Sequence, residues 1–243
     1  MSLRDTLERW LLKLLVRRMM QPRDWLAPQL GGLPREHRFV AFVDLLGFSH
    51  SVITDLDEAI ATYDHLFDEI RHIGRGAFPT LEIVVASDSV IFTSVHLAEV
   101  LSACQTMQFI ALAADTLVRG GIAYDLHIQR TEERNLYVVS PALVKAVRLE
   151  RAVLHPCIAL HSSVQIPGFA YPQPGQSNFE RLLLYFDAMW VVNPFNIMWG
   201  SSAMTHVSQL LERFPQHRAK YQWFLSLYEA VRSGHPLVPD NAA

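Results

Sequence analysis

Cysteine is scarce. Cys104 and Cys157 are the only two in 243 residues, too few for a disulfide framework and without any C-x-x-C metal spacing. A reducing compartment fits, and we expect a cytoplasmic protein. Long apolar runs are lacking as well: Trp10 to Val16 is apolar but for Lys13 and is closed by Arg17 and Arg18, far short of a membrane span. The N-terminus carries acidic residues and no apolar core followed by a small-residue cleavage site, which argues against a secretory signal. Nor is there an excess of positive charge. A net charge of −3 provides no basic field to grip nucleic acid, so nucleic acid is not expected as the principal partner. No H-E-x-x-H or Cys/His spacing supports zinc, and no G-x-S-x-G elbow supports a serine hydrolase. What is present is 50% hydrophobic residues against 19% charged, which excludes a wholly disordered chain and points to substantial buried or oligomeric surface.

Leu7, Trp10, Leu11, Leu14 and Leu15 recur at helical spacing, so residues 3–20 read as an amphipathic helix. Pro22, Pro28, Gly31, Gly32 and Pro34 then punctuate a linker, and residues 1–37 form an N-terminal extension. From there the pattern predicts a strand at Arg38–Leu45, a helix over Asp55–His72, and two short strands at Leu81–Ala86 and Ser89–Ser94 around a Ser87-Asp88 turn. A helix at Leu97–Leu117 and a strand at Val118–Tyr124 follow. The sum is β-α-β-β-α-β, a ferredoxin-like α+β order. Beyond it come a strand at Leu136–Val139, a helix over Pro141–Leu154, a strand at Cys157–Ser162, possible strands at Leu182–Phe186 and Trp190–Val192, and a mainly helical Ala203–Arg232 divided at Pro215. We expect one catalytic domain at 38–200 and a helical extension at 201–243.

In this order the third strand lies between the first two, so the end of the first sits beside the turn joining the second and third. Asp44 and Asp88 occupy those places. Two neighbouring carboxylates repel unless protonated or bridged by cations, and Mg²⁺ or Mn²⁺ completed by phosphate oxygens is the usual arrangement for phosphoryl chemistry. Gly47, just after Asp44, allows a tight turn that exposes main-chain N–H groups to a phosphate. Spacing alone equally suits two aspartates that merely make turns.

The combined strings are more specific. F-V-D-L-L-G-F at 42–48, S-D-S-V-I-F at 87–92 and V-R-G-G-I-A-Y at 118–124 resemble, in order and spacing, the core motifs of class III nucleotidyl cyclases, over about residues 38–162. The resemblance implies that Asp44, Asp88 and the Leu45 carbonyl hold two divalent cations, Mn²⁺ or Mg²⁺, and that main-chain groups of Leu46, Gly47 and Phe48 meet the triphosphate. The 3′-hydroxyl then attacks the α-phosphorus in line and diphosphate leaves. It also implies a homodimer with shared sites, where an arginine from the opposite chain stabilises the α-phosphate. Arg148, in A-V-R-L-E, stands at that arginine's place. His50 follows the phosphate loop and is a candidate for the ribose or base. Arg119 follows the family string and equally suits a structural ion pair, while Asp115, Asp125 and His127 have no assigned role.

Two departures shape the expected substrate. The family's asparagine four residues before the arginine is Val144 here. The lysine and acidic partner with which adenylyl cyclases read adenine fall on Val84 and about Tyr137. Without that polar pair the chain is similar to the Pycsar pyrimidine cyclases of bacterial antiphage defence, which make cyclic UMP or cyclic CMP for a separate effector protein. We therefore expect a uridylate cyclase. A cytidylate or adenylate cyclase, or a module that binds nucleotide without turnover, are the alternatives.

Overall fold

A computed structural model of the chain describes residues 35–73, 78–132 and 135–239. The expected N-terminal helix at 3–20 lies outside the described residues. Two compact units divide the chain. Of the described residues, the larger comprises 36–127 and 139–239 and the smaller includes Ile128–Val138.

The larger unit runs β1 (Glu36–Leu45), α1 (Phe48–Thr54), α2 (Leu56–Ile73), β2 (Glu82–Ala86), β3 (Ser89–Ser94), α3 (Leu97–Ala113) and the first part of β4 (Val118–Glu132). After β5 (Asn135–Val139) come α4 (Pro141–Ala152), β6 (Ile158–Leu160), β7 (Leu183–Phe186), β8 (Met189–Val192), α5 (Gly200–Arg213) and α6 (Arg218–Arg232). The sheet order is β2-β3-β1-β4-β6-β8-β7. Its first four strands are antiparallel neighbours with β3 between β1 and β2, the expected ferredoxin-like arrangement. β4 and β6 are parallel, β8 returns antiparallel on β6, and β7 closes the edge. In the smaller unit the described residues are a hairpin in which the distal part of β4 pairs with β5.

Alternation along β1 assigns the two faces of the sheet. Ala41, Val43 and Leu45 enter a core with Val90 and Phe92 of β3 and with Leu101, Cys104 and Met107 of α3. α3 is apolar around most of its circumference because it is covered on several sides, by the sheet, by α2 and by α5. Each fully buried Leu or Met there contributes roughly 2 kcal/mol. Its start is pinned by a polar cluster: the Glu99 carboxylate accepts from Ser94 at 2.6 Å and from Thr80 at 2.7 Å.

α4 lies on the opposite face. Pro141 stands in its first turn, as the sequence predicts, and Ser140 caps it by accepting from the Leu143 N–H. It approaches β4 closely because Gly121 has no side chain. A Cβ at position 121 would run into the Ala146 carbonyl oxygen and stand 3.0 Å from the Leu149 Cβ and 3.2 Å from the Glu150 nitrogen. The adjacent Gly120 plays the same part toward β1, where a Cβ would meet the Phe42 carbonyl oxygen at 2.6 Å.

A second core joins the late strands to α5 and α6 through Leu184, Val191, Phe195, Val207, Leu210, Phe224 and Leu227. The irregular segment between β6 and β7 is organised by Arg181, which is 1% exposed. Its guanidinium donates to the Asn178 side chain at 3.1 Å and to the carbonyls of Ala170 at 2.7 Å and Leu237 at 3.1 Å. Asn193, fully buried, donates to the carbonyls of Asn178 and Arg181.

Several boundaries differ from the sequence reading. The span after β1 holds a separate seven-residue helix, α1, before α2. α3 stops at Ala113 because Asp115 takes φ +56, which ends the helix before Leu117. β4 continues to Glu132 because it leaves the first sheet partners to pair with β5.

Replacing Gly121 with alanine is expected to cost about 2–3 kcal/mol by overpacking against backbone that cannot move aside. Gly168→Ala, with nothing within 4 Å of the new methyl, should be near neutral. Urea midpoints of the two variants check the contrast.

Candidate metal and nucleotide site

The fold brings Asp44 and Asp88 together. Asp44 is the penultimate residue of β1, opposite Ser89 of β3 on one side and Arg119 of β4 on the other. Asp88 sits in the two-residue turn between β2 and β3, and its carbonyl accepts from the Leu45 N–H at 2.9 Å. That turn is strained: Ser87 has φ +58, a left-handed conformation costing an L residue roughly 1 kcal/mol. The strain falls on the residue that places Asp88.

The Asp44 carboxyl is pushed up to about 6, first by burial, then by the charges of Asp88 and Glu150. Arg119 and a long 3.4 Å hydrogen bond from Ser89 act the other way without cancelling it. A carboxylate so placed is held in an unfavourable field at neutral pH. The donor set suits a hard divalent cation, since it offers acidic oxygens and leaves positions for substrate or water oxygens. Among the described residues no group of three or more His, Cys, Asp or Glu is arranged for a metal, so any ion here would draw its side-chain ligands from the two aspartates and the rest from main-chain, substrate or water oxygens.

After Asp44, the Leu46 N–H donates to the Leu117 carbonyl at 2.9 Å and its own carbonyl accepts from Thr116 at 3.0 Å. Both main-chain groups of Leu46 are thus engaged within the protein. Gly47 turns the chain at φ +88 and Phe48 opens α1. At seven residues α1 is short, and only a correspondingly small dipole faces the turn. His50 lies in α1 rather than in a loop; its side chain lies outside the described part of the structure.

Arg148 is exposed on α4, and Val144, one turn earlier, is 49% exposed. They share one side of the helix. Glu150 faces inward at 4% exposure and binds Arg119, whose Nε donates to Oε1 at 2.7 Å while Nη2 pairs with the same oxygen. Arg119 is therefore an ion-pair partner, and Glu150 belongs to it rather than to Arg148. Asp125 pairs with Lys145 at 2.6 Å, which holds its carboxyl below the usual range. His127 is buried against the Ser140 hydroxyl at 2.9 Å, and Asp115 pairs on the surface with Arg213. Val84 is half-buried in β2 opposite Ile91. Tyr137, in β5 of the smaller unit, is 51% exposed. Among the described residues no helix is long and apolar enough to cross a membrane.

The sequence matches no protein-family model and no curated protein. Solved structures similar to the chain include a class III adenylyl cyclase-like ATP-binding protein from Pseudomonas aeruginosa, at 11% identity and TM-score 0.44 over 55% of this chain. The match spans 36% of that protein. The guanylyl cyclase Cya2 is similar at 16% identity and TM-score 0.44, over 69% of this chain and 97% of its own. The adenylyl cyclase CyaB from P. aeruginosa is similar at 14% identity and TM-score 0.45, over 66% of this chain and 95% of its own.

The raised Asp44 carboxyl makes the stability of the metal-free protein depend on pH. Its stabilising contribution is complete below the ordinary aspartate value of 3.8 and is lost as pH rises through about 6. Asp44→Asn should therefore melt higher than the parent at pH 8 without metal. Mn²⁺ should raise the parent's melting temperature more at pH 8 than at pH 5, and leave the asparagine variant almost unmoved. Thermal melts at both pH values check this; a variant less stable at pH 8 with an undiminished Mn²⁺ response would refute it.

Proposed function

We propose that this chain is a metal-dependent nucleotidyl cyclase that converts a pyrimidine nucleoside triphosphate, UTP foremost, into 3′,5′-cyclic UMP and diphosphate. The observation that carries the reading is the pairing of Asp44 with Asp88 at one end of a ferredoxin-like sheet, each within a cyclase-like motif. Two divalent cations, when bound, would supply charge neutralisation at the triphosphate and acidify the 3′-hydroxyl. Asp44, Asp88 and the Leu45 carbonyl would hold them. Gly47 and Phe48 lie where the chain turns out of β1, beside the end of the sheet that would receive the phosphates. Leu46 would act there through the rigidity of its two internal hydrogen bonds, and His50 is the remaining candidate from α1.

Arg148 suits a role in trans. It is exposed on α4, while the helix's inward acid is already committed to Arg119. In a homodimer it would meet the α-phosphate of the opposite site, adding donors where charge develops. The pyrimidine preference is supported by Val84, an apolar strand residue where a purine-reading lysine would stand, and by Tyr137 in place of its acidic partner. The resemblance to antiphage cyclases further supports a second-messenger role, with the product acting on a separate effector. Val144, exposed and apolar where the family carries asparagine, favours the second reading of a module that binds nucleotide without turnover.

Purified protein incubated with each of the four NTPs and Mn²⁺ should form cyclic UMP from UTP. Product from ATP alone would reject the pyrimidine choice, and nucleotide binding without diphosphate release would establish the non-catalytic module. Arg148→Ala should lower turnover about a hundredfold. Mixing Asp44→Ala with Arg148→Ala chains should restore activity through one intact site per heterodimer. No recovery despite proven mixing would reject the shared site.

A further inference from the structure

Arg119 poses a problem for any cation at Asp44. The two residues are direct partners in the β1–β4 register, so their side chains leave the same face of the sheet side by side. A guanidinium there is a natural bidentate partner for a carboxylate, and such a pair would occupy the oxygen lone pairs a metal needs. Yet Arg119 directs both Nε and Nη2 at the Glu150 carboxylate on α4. The charges of Arg119 and Glu150 both reach Asp44 and act on it in opposite senses.

We infer that Glu150 is a positioning residue that holds the Arg119 guanidinium away from Asp44, keeping the Asp44 carboxylate available to a divalent cation. The inference rests on the metal reading of Asp44 given above. Glu150 is well suited to the task because it is nearly inaccessible, at 4% exposure, on a helix held close by the absent side chain of Gly121. Arg119, with 27% of its side chain exposed, has the greater freedom to move. Were Glu150 removed, a largely buried cation would be left without its counter-ion, a costly state relieved by engaging the acid opposite it in the sheet. Arg119 would then compete with the metal.

The test measures Mn²⁺ binding to the full chain, without nucleotide, by calorimetry and by the electron paramagnetic resonance of free Mn²⁺. Glu150→Met is expected to weaken Mn²⁺ binding about tenfold or more, the usual scale for losing a residue that supports a metal ligand. The double variant Arg119→Met with Glu150→Met should recover binding close to the parent's, because the competitor has gone with its restraint. A double variant as weak as Glu150→Met alone would show that the pair only ties α4 to the sheet, and an unchanged affinity in Glu150→Met would show that Arg119 does not compete. Should circular dichroism find Glu150→Met unfolded, the isosteric Glu150→Gln, alone and with Arg119→Met, decides by the same comparison. Asp44→Asn separates the two levels: if it leaves Mn²⁺ binding untouched, the metal reading itself fails, whereas its loss of binding combined with an indifferent Glu150→Met overturns only the present inference.

Discussion

Where β4 passes under α4 there is room for backbone and nothing else, and the site depends on that close approach. Gly121 presses on the main chain of Ala146 and Glu150, while Gly120 presses on the main chain of β1. Side chains at either position would move the helix outward or part the strands, and the residues between them would lose their register. With both glycines in place, Arg119 lies between an acid on the neighbouring strand and an acid on the overlying helix. Packing thereby sets the electrostatics. At an effective dielectric near 20, unit charges about 4 Å apart interact by about 4 kcal/mol, so which acid the guanidinium faces has a large effect on the other.

The same packing gives α4 two distinct sides. Glu150 is buried against the sheet, whereas Arg148 and Val144 are turned to solvent. One helix thus joins the end of the sheet that carries Asp44 to an exposed face, and a shift of α4 would disturb both together.

Much of the core was legible because its signals are periodic. The strands expected at 38–45, 81–86 and 89–94 and the helix expected at 97–117 follow from short apolar, β-branched and aromatic runs and a long apolar one, and their order implies the adjacency of Asp44 and Asp88. Less legible was what depends on three-dimensional competition. F-S-H-S-V-I-T has too few positions to show a helical stripe, so α1 went unseen. Glu150 is two residues from Arg148, but on a helix that offset turns the side chains to different faces, and its partner, Arg119, comes from a strand. The stretch from 161 to 182 shows no periodic pattern because its order comes from Arg181 and Asn193, single buried polar residues.

The choice between turn aspartates and a metal pair can be argued from the surroundings of Asp44. A carboxylate that serves a turn accepts from nearby N–H groups, which favour its charged form and pull its pKa down. Asp44 has one long bond from Ser89, with two other carboxylates acting on it, and its carboxyl rises to about 6. Asparagine or serine would fill the same strand position without the repulsion. Around neutral pH the charged aspartate therefore works against the fold, a cost that a neighbouring cation would relieve. On the function proposed above, a divalent cation would supply that relief, with triphosphate oxygens among its other ligands. Stability given up locally in return for ligand affinity is the usual mark of a functional position, and here it falls on the residue where the motif, the sheet order and the strained Ser87 turn converge.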